Sequence, residues 1–328
     1  MKKIGICTLN EACNMGAILQ AFALQETLKK MGYQPEFLKL KNCVIHDEGR
    51  ITEEFLDMRK HLNISSKYYN PNEDKYDAIV IGSDEIWNVL EPSFEHIDEF
   101  LGYNLNAPKI IAYAPGANKA DGDAFIKYYN GERNLSNFTS LSARDSHALD
   151  IIKKVAKVDA PILLDPTFLI DSYEPYMEEC NEKDFILIYG WCFTDDEKQA
   201  IREFADSKGL KLYSVGYEYN SDWCDKFIGA NIFKFISYMK KAQYAVTSET
   251  FHGTIFSVIF NKQFVTTTHG RFKTRELVER LGLKDRDCSS AKEINEKLNE
   301  YLDYTNINKW IEIEKNKSIN YLKSAIEG

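Results

Sequence analysis

The sequence predicts an α/β protein of two Rossmann-like domains facing a cleft. Three observations carry this. Short apolar runs alternate with stretches of helical periodicity, each apolar run ends in small, polar or charged residues, and a proline-flanked extended stretch, Ala160–Ile170 (APILLDPTFLI), divides the alternation into halves. Continuous apolar runs of this length suit strands of a buried parallel sheet, whose carboxyl ends carry ligand sites. The expected domains are residues 1–160 and 161–306, followed by a carboxyl-terminal helix, 307–328.

In the first half, Ile4–Leu9 reads as a strand and Asn10–Gly16 as a polar turn. Ala17, Ala21, Leu24, Leu28 and Met31 then recur at helical spacing, and Gly32 stops the helix. Phe37–Leu40, Asp77–Ile81, Ile110–Tyr113 and Phe138–Ser142 are the further strand-like runs; Asn42–Asn72 is charged and partly helical. In the second half the expected strands are Phe185–Tyr189, Leu210–Val215, Tyr244–Thr247 and Phe264–Thr267. The expected helices are Asp195–Ser207, Ile232–Lys241, His252–Phe260, Lys273–Leu281, Ala291–Tyr301 and Ile307–Ala325.

Composition narrows the function. The 328 residues are 44% hydrophobic and 28% charged, enough for two ordinary cores. A net charge of -9 without a long basic run disfavours nucleic acid, which needs a basic face. Cys7, Cys13, Cys43, Cys180, Cys192, Cys224 and Cys288 form no C-x-x-C pair and no metal-ligand spacing, so reduced thiols and no metal are expected. The amino terminus turns polar by Asn10 and no apolar stretch approaches the roughly 20 residues of a membrane helix, so a cytoplasmic protein is expected.

Four strand exits are candidate site segments. At Asn14-Met15-Gly16 a strand gives way to a helix, where free N–H groups and the positive end of the helix dipole can meet an anion. The alternative is a simple Asn14 N-cap. In Gly82-Ser83-Asp84-Glu85-Ile86-Trp87, Ser83 and Asp84 could orient a hydroxyl and Trp87 offer a flat face, or the segment could be a capped turn with Trp87 in the core. In Ser142-Ala143-Arg144-Asp145 the guanidinium fork of Arg144 suits a carboxylate or phosphate, although from sequence alone a structural Arg144–Asp145 or helix-capping ion pair is the favoured reading, such pairs being common. In Ser248-Glu249-Thr250-Phe251-His252-Gly253-Thr254 a histidine stands at a helix start beside Thr250, Gly253 and Thr254. That location fits both an anion and a proton-transfer group, or a histidine packed at a helix end.

Together, NMGAILQAFALQ, DAIVIGSDEIWN, SARDSHALDIIKK and SETFHGTIFSVIFNKQFV resemble the polysaccharide pyruvyl transferases, in the family's order, from residue 3 to about 283. The resemblance implies a GT-B-like arrangement and a final helix crossing back onto the first domain. It also implies phosphoenolpyruvate as co-substrate, with no cofactor and no metal. By motif position the family's donor-binding Arg falls on Arg144 and its key His on His252. Some members carry Arg two places before the histidine, where Thr250 stands here; Lys262, Arg271 and Lys273 are candidate replacements. The expected site is therefore His252 and Arg144 as catalytic residues and Thr250, Gly253, Thr254, Arg271 and Lys273 around the donor. Asn14, Gly16, Ser83, Asp84, Trp87 and Glu249 are expected along the acceptor or cleft. The expected reaction forms a pyruvyl ketal on a sugar, the acceptor being a sugar or a lipid-linked oligosaccharide handled beside membrane-bound glycan assembly machinery. Two rivals remain: a glycosyltransferase using a nucleotide sugar, with Glu249 on the ribose, and a non-catalytic sugar- or anion-binding module.

Overall fold

The computed structural model describes residues 1–10, 14–41, 57–91, 97–216 and 218–328, with the side chain of residue 219 excepted. Cys13, Cys43, part of the turn Asn10–Gly16 and the Asn42–Asn72 stretch up to residue 56 lie outside the described residues. The chain divides into two compact units. Unit 1 is Met1–Asp171 with Ile311–Gly328, and unit 2 is Ser172–Trp310.

Unit 1 holds a parallel five-stranded sheet, β1 (Lys3–Cys7), β2 (Gln34–Lys39), β3 (Ile64–Tyr68), β4 (Ala78–Ile81) and β5 (Ile110–Ala112), in the order β3-β2-β1-β4-β5. Helix α1 (Met15–Lys30) follows β1. It is apolar nearly all round, and accordingly almost all of its residues up to Leu28 are buried, as expected of an internal helix. Two buried glutamines tie it down: Gln20 Nε2 donates to Thr8 Oγ1 at 3.0 Å, and Gln25 Nε2 donates to the His61 carbonyl at 3.0 Å. Helices α2 (Gly122–Tyr128) and α3 (Ser146–Ile151) follow β5.

Unit 2 repeats the plan with β6 (Phe185–Gly190), β7 (Lys211–Val215), β8 (Lys226–Ile228), β9 (Tyr244–Ser248) and β10 (Gln263–Thr267), all parallel, in the order β10-β9-β6-β7-β8. Its helices are α4 (Asp195–Lys208), α5 (Ile232–Lys241), α6 (Phe251–Ile259), α7 (Phe272–Arg280) and α8 (Ala291–Asn299). The β6 strand is buried along its whole length, which is why its sequence, FILIYG, reads as an apolar run.

Three expectations change. The run Phe138–Ser142 makes only an isolated bridge, Ile111↔Ser140, because Ser142 turns its hydroxyl onto the Ala112 carbonyl instead of extending a ladder. The division between units falls after Asp171 and not after residue 160. The proline-rich stretch belongs to unit 1: Ala143 bridges Ile162, the Tyr113 hydroxyl donates to the Leu164 carbonyl at 2.9 Å, and Asp165 meets Arg144. The last helix, α9 (Thr305–Glu327), begins before the expected 307. Its residues from Ile311 onward belong to unit 1, where Ser318 Oγ accepts from the Leu164 N–H and the Tyr321 hydroxyl donates to the Ala112 carbonyl. Among the described residues no helix is long and apolar enough to cross a membrane.

Candidate active site

In unit 1 the expected site residues turn inward. Asn14 is the N-cap of α1, and its Oδ1 accepts from the N–H groups of Gly16 (2.8 Å) and Ala17 (3.3 Å), so the side chain already takes the donors expected to meet an anion. Gly16 itself is buried within the helix. Ser83 is fully buried and its hydroxyl donates to the Ala114 carbonyl at 2.7 Å. Trp87 offers no free face: it is 1% exposed, its Nε1 donates to the Phe100 carbonyl at 3.0 Å, and its ring meets the Phe138 ring edge-on. A tryptophan this deep is a core residue.

Arg144 is also interior. It keeps 4% of its surface, donates to Asp165 at 3.0 Å, and lies 3.9 Å from Asp84. Burial works against its charge, but Asp165, Asp84 and Asp145 outweigh burial and hold its pKa above the ordinary guanidinium value. Asp145 meanwhile caps α3 and accepts from the Ala117 and Asn118 N–H groups. Gly116 makes room for this arrangement, since a Cβ there would lie 2.7 Å from Arg144 and 2.8 Å from Asp145. Asp165 and Asp84 thus already face the guanidinium, while burial raises the Asp145 carboxyl above its ordinary value. Instead of standing open to a donor, the Arg144 side chain here joins the β4 exit, the Gly116 turn and the Asp165 linker.

Unit 2 is different at the carboxyl ends of three neighbouring strands. Cys192 after β6, Glu249 after β9 and His269 after β10 all have left-handed backbones, with φ of 63°, 54° and 46°. Non-glycine residues rarely adopt this conformation, and such strain concentrates where a site needs side chains aimed outward. Around Glu249 the polar groups interlock. Arg271 Nε donates to Glu249 Oε2 at 2.6 Å, Trp191 Nε1 donates to the same oxygen at 3.1 Å, and His269 Nδ1 lies 3.4 Å from Oε1. His269 Nε2 reaches Glu197 Oε1 at 3.0 Å, while the other oxygen of Glu197 closes the capping box of α4. Burial raises the Glu249 carboxyl, but Arg271, Trp191 and His269 prevail and keep it below the usual carboxylate value. Arg271 also stacks on Trp191, 5.3 Å from the ring centre.

His252 stands in the first turn of α6 with 9% of its surface exposed, its ring edge-on to Phe251 at 5.3 Å. Lys273 Nζ lies 5.9 Å from the Phe251 ring centre. The start of α6 also differs from its neighbours. Asn14, Asp121, Asp145, Thr194, Asn231 and Ser290 each cap a helix with a side-chain oxygen. Thr250 occupies the N-cap of α6 without doing so, its Oγ1 lying 3.4 Å from the Tyr189 carbonyl, and Arg271 at the start of α7 likewise supplies no cap. The first-turn N–H groups of two adjacent strand-to-helix exits thus lack a side-chain cap.

Other expected donor residues serve the fold. Thr254 is fully buried and its hydroxyl donates to the Thr250 carbonyl at 3.0 Å. Gly253 has Thr250 Oγ1 at 2.4 Å and Tyr189 at 2.5 Å from where a Cβ would sit, so close helix-to-strand packing requires it. Lys262 spends its ammonium on the carbonyls of Lys240 and Ala242 at the end of α5, and burial pulls its pKa down to about 8. Sequence reasoning missed Trp191, Glu197 and His269. Trp191 and His269 follow apolar strands as Glu249 does, so the strand-exit rule applied to β6 and β10 would have found them. Among the described residues no cluster of His, Cys, Asp and Glu is suited to a metal ion.

A family model described as polysaccharide pyruvyl transferase matches residues 14–271. None of the curated proteins searched matches the chain. Among solved structures the chain is similar to a UDP-bound MnaA from S. aureus at 14% identity and a TM-score of 0.55, covering 99% of this chain and 96% of that one. It is similar to a UDP-GlcNAc 2-epimerase from Neisseria meningitidis bound to UDP-GlcNAc at 9% identity and a TM-score of 0.56, covering 99% of each chain. It is also similar to the Methanocaldococcus jannaschii UDP-GlcNAc 2-epimerase, solved with UDP-GlcNAc and UDP, at 10% identity and a TM-score of 0.51, covering 95% of this chain and 98% of that one. At identities this low these likenesses show the fold alone, a GT-B-like plan of two parallel-sheet α/β domains in series.

Proposed function

Because the chain belongs to the polysaccharide pyruvyl transferase family, we propose that it transfers a pyruvyl group from phosphoenolpyruvate to two hydroxyls of a sugar, forming a ketal and releasing phosphate. One observation carries the donor reading. The uncapped start of α6 bears His252 and stands beside the strand exit that supplies Arg271 and Lys273. Helix N-termini favour anions through their free N–H groups and dipole, and phosphoenolpyruvate is anionic at both ends.

In this reading the N–H groups opening α6 and the cations Arg271 and Lys273 hold the carboxylate and phosphate. Glu249 is the positioning residue, since its bond to Arg271 Nε fixes the guanidinium. His252 delivers a proton to the methylene carbon while one sugar hydroxyl adds to the neighbouring carbon and passes its proton to a phosphate oxygen. Hydrogen phosphate then leaves with the bridging oxygen, and the second hydroxyl closes the ring, its proton restoring the one His252 gave up. General acid–base catalysis of this kind contributes about 10²–10⁴-fold. Thr250, where some members carry Arg, adds no charge, and Arg271 and Lys273 take that part.

The test measures phosphate release from phosphoenolpyruvate across a panel of sugar acceptors. His252→Gln and His252→Ala are expected to lower turnover by about 10²–10⁴-fold while retaining donor binding. Near-wild-type turnover in both variants removes His252 from the role. Binding of a nucleotide sugar in place of phosphoenolpyruvate overturns the donor assignment.

A further inference from the structure

Unit 1 has a pocket of about 490 Å³ beyond the carboxyl ends of β2 and β3. That lies within the roughly 300–1,000 Å³ typical of small-molecule sites. Its walls come from Lys41 after β2, from Tyr68 and Asn70 at and after the end of β3, and from Glu73, Glu99 and Asn104. Ligands of parallel sheets gather beyond this end of the strands.

The lining selects its occupant. Tyr68 is 51% exposed, an unusual position for a large ring, and Lys39 Nζ sits over it at 4.7 Å. An aromatic face with one end wet suits the apolar C–H face of a sugar ring. The surrounding groups include both donors and acceptors: the amides of Asn70 and Asn104, the carboxylates of Glu73 and Glu99, and the ammonium of Lys41. Hydroxyls can pair with either kind. Two carboxylates, Glu73 and Glu99, against two ammoniums, Lys41 and Lys39, leave no excess charge to favour an ion, and so many polar groups disfavour a purely apolar ligand.

The walls are fixed before any ligand arrives. Asn70 accepts from the Asn72 N–H through its Oδ1, and its own N–H donates to Asp74 at 2.8 Å. Asp74 is held in turn by Lys67 at 2.6 Å. The Tyr69 hydroxyl accepts from the Asn106 N–H at 2.9 Å, and Asn106 Nδ2 donates to the Pro71 carbonyl at 2.7 Å, tying the two sides together. Asn104 takes a left-handed backbone, φ 57°, which asparagine tolerates better than most residues.

We propose that this pocket is a carbohydrate subsite, seating a neutral pyranose unit of the acceptor glycan against Tyr68. That the sugar is the acceptor rests on the pyruvyl-transfer reading; that the pocket takes a sugar does not. The segment Gly82–Trp87 offered Trp87 as a flat face, but that ring is buried in the core; Tyr68 supplies the exposed ring in its stead.

Saturation-transfer NMR on the full chain tests the assignment, using the methyl glycosides of glucose, galactose, mannose and N-acetylglucosamine together with cellobiose and lactose. At least one sugar is expected to bind wild type, with affinity falling about ten-fold in Tyr68→Ala and in Glu73→Ala, and persisting in Tyr68→Phe, which keeps the ring. Both positions are at the surface, and circular dichroism confirms folding of each variant. No signal from any sugar on wild type, or an unchanged signal in Tyr68→Ala, overturns the subsite. A sugar signal lost in Tyr68→Ala upholds it even where phosphoenolpyruvate fails to bind wild type, the outcome that would sink the donor reading alone.

Discussion

Arg144 donates to Asp165 across 21 positions of sequence and lies close to Asp84 in a nearly solvent-free interior. Removing the guanidinium would leave buried carboxylates uncompensated. Arg144→Met is therefore expected to cost unit 1 about 3–5 kcal/mol, read as a lower urea midpoint. Adding Asp165→Asn to that variant should recover part of the loss, because the most closely paired charge then goes too. Unaltered stability together with lost phosphoenolpyruvate binding would return Arg144 to the role its motif suggested. The sequence located Arg144 at a strand exit but could not reveal Asp165 or Asp84 as partners, since that pairing is made by the fold. Trp87 illustrates the same limit: a turn of Gly, Ser and Asp beside an aromatic reads alike whether the ring faces solvent or, as here, Phe138 and the Phe100 carbonyl. His269 was missed for the opposite reason, its meaning lying in Glu249 and Glu197, which reach it from other elements.

Strands with an apolar core were plainly legible: β6, β9 and β10 lie within a residue of where the sequence pattern put their limits, because burial on both faces places Phe, Ile, Leu, Val and Ala at their centres. β3 (ISSKY) and β8 (KFI) went unread, being short, largely exposed edge strands that carry no such core. Helix α6 shows how an element's packing can reverse a general preference. Glycine in a helix ordinarily costs about 1 kcal/mol relative to alanine, so Gly→Ala there should stabilise. At Gly253 the added methyl would meet Tyr189 and Thr250. Gly253→Ala is accordingly expected to destabilise by about 1–3 kcal/mol, measured as a lower thermal midpoint, and to depress turnover by shifting the first turn that carries His252. A higher midpoint in the variant would mean that α6 can slide away from β6.

Over the whole chain, the two-sheet plan was readable because the alternation simply occurs twice. The division was misplaced because prolines mark an extended stretch without saying which core it joins. Unit 1 draws on both ends of the chain. Ser318 and Tyr321 satisfy groups at Leu164 and Ala112, and Lys2 and Lys109 both donate to the Ile326 carbonyl. Deleting residues 311–328 is thus expected to raise hydrogen exchange in β1, β5 and the Ala160–Leu169 stretch while β6, β9 and β10 keep their protection. Uniform loss of protection in both sheets would mean that the units unfold as one.

That final helix also sets an order of events during synthesis. The amino-terminal sheet leaves the ribosome first, yet the segment that covers its Ala112 and Leu164 backbone follows only after every strand of the other sheet has been made. The half of the molecule begun earliest is consequently finished last, and its exposed interval lengthens with each residue added between.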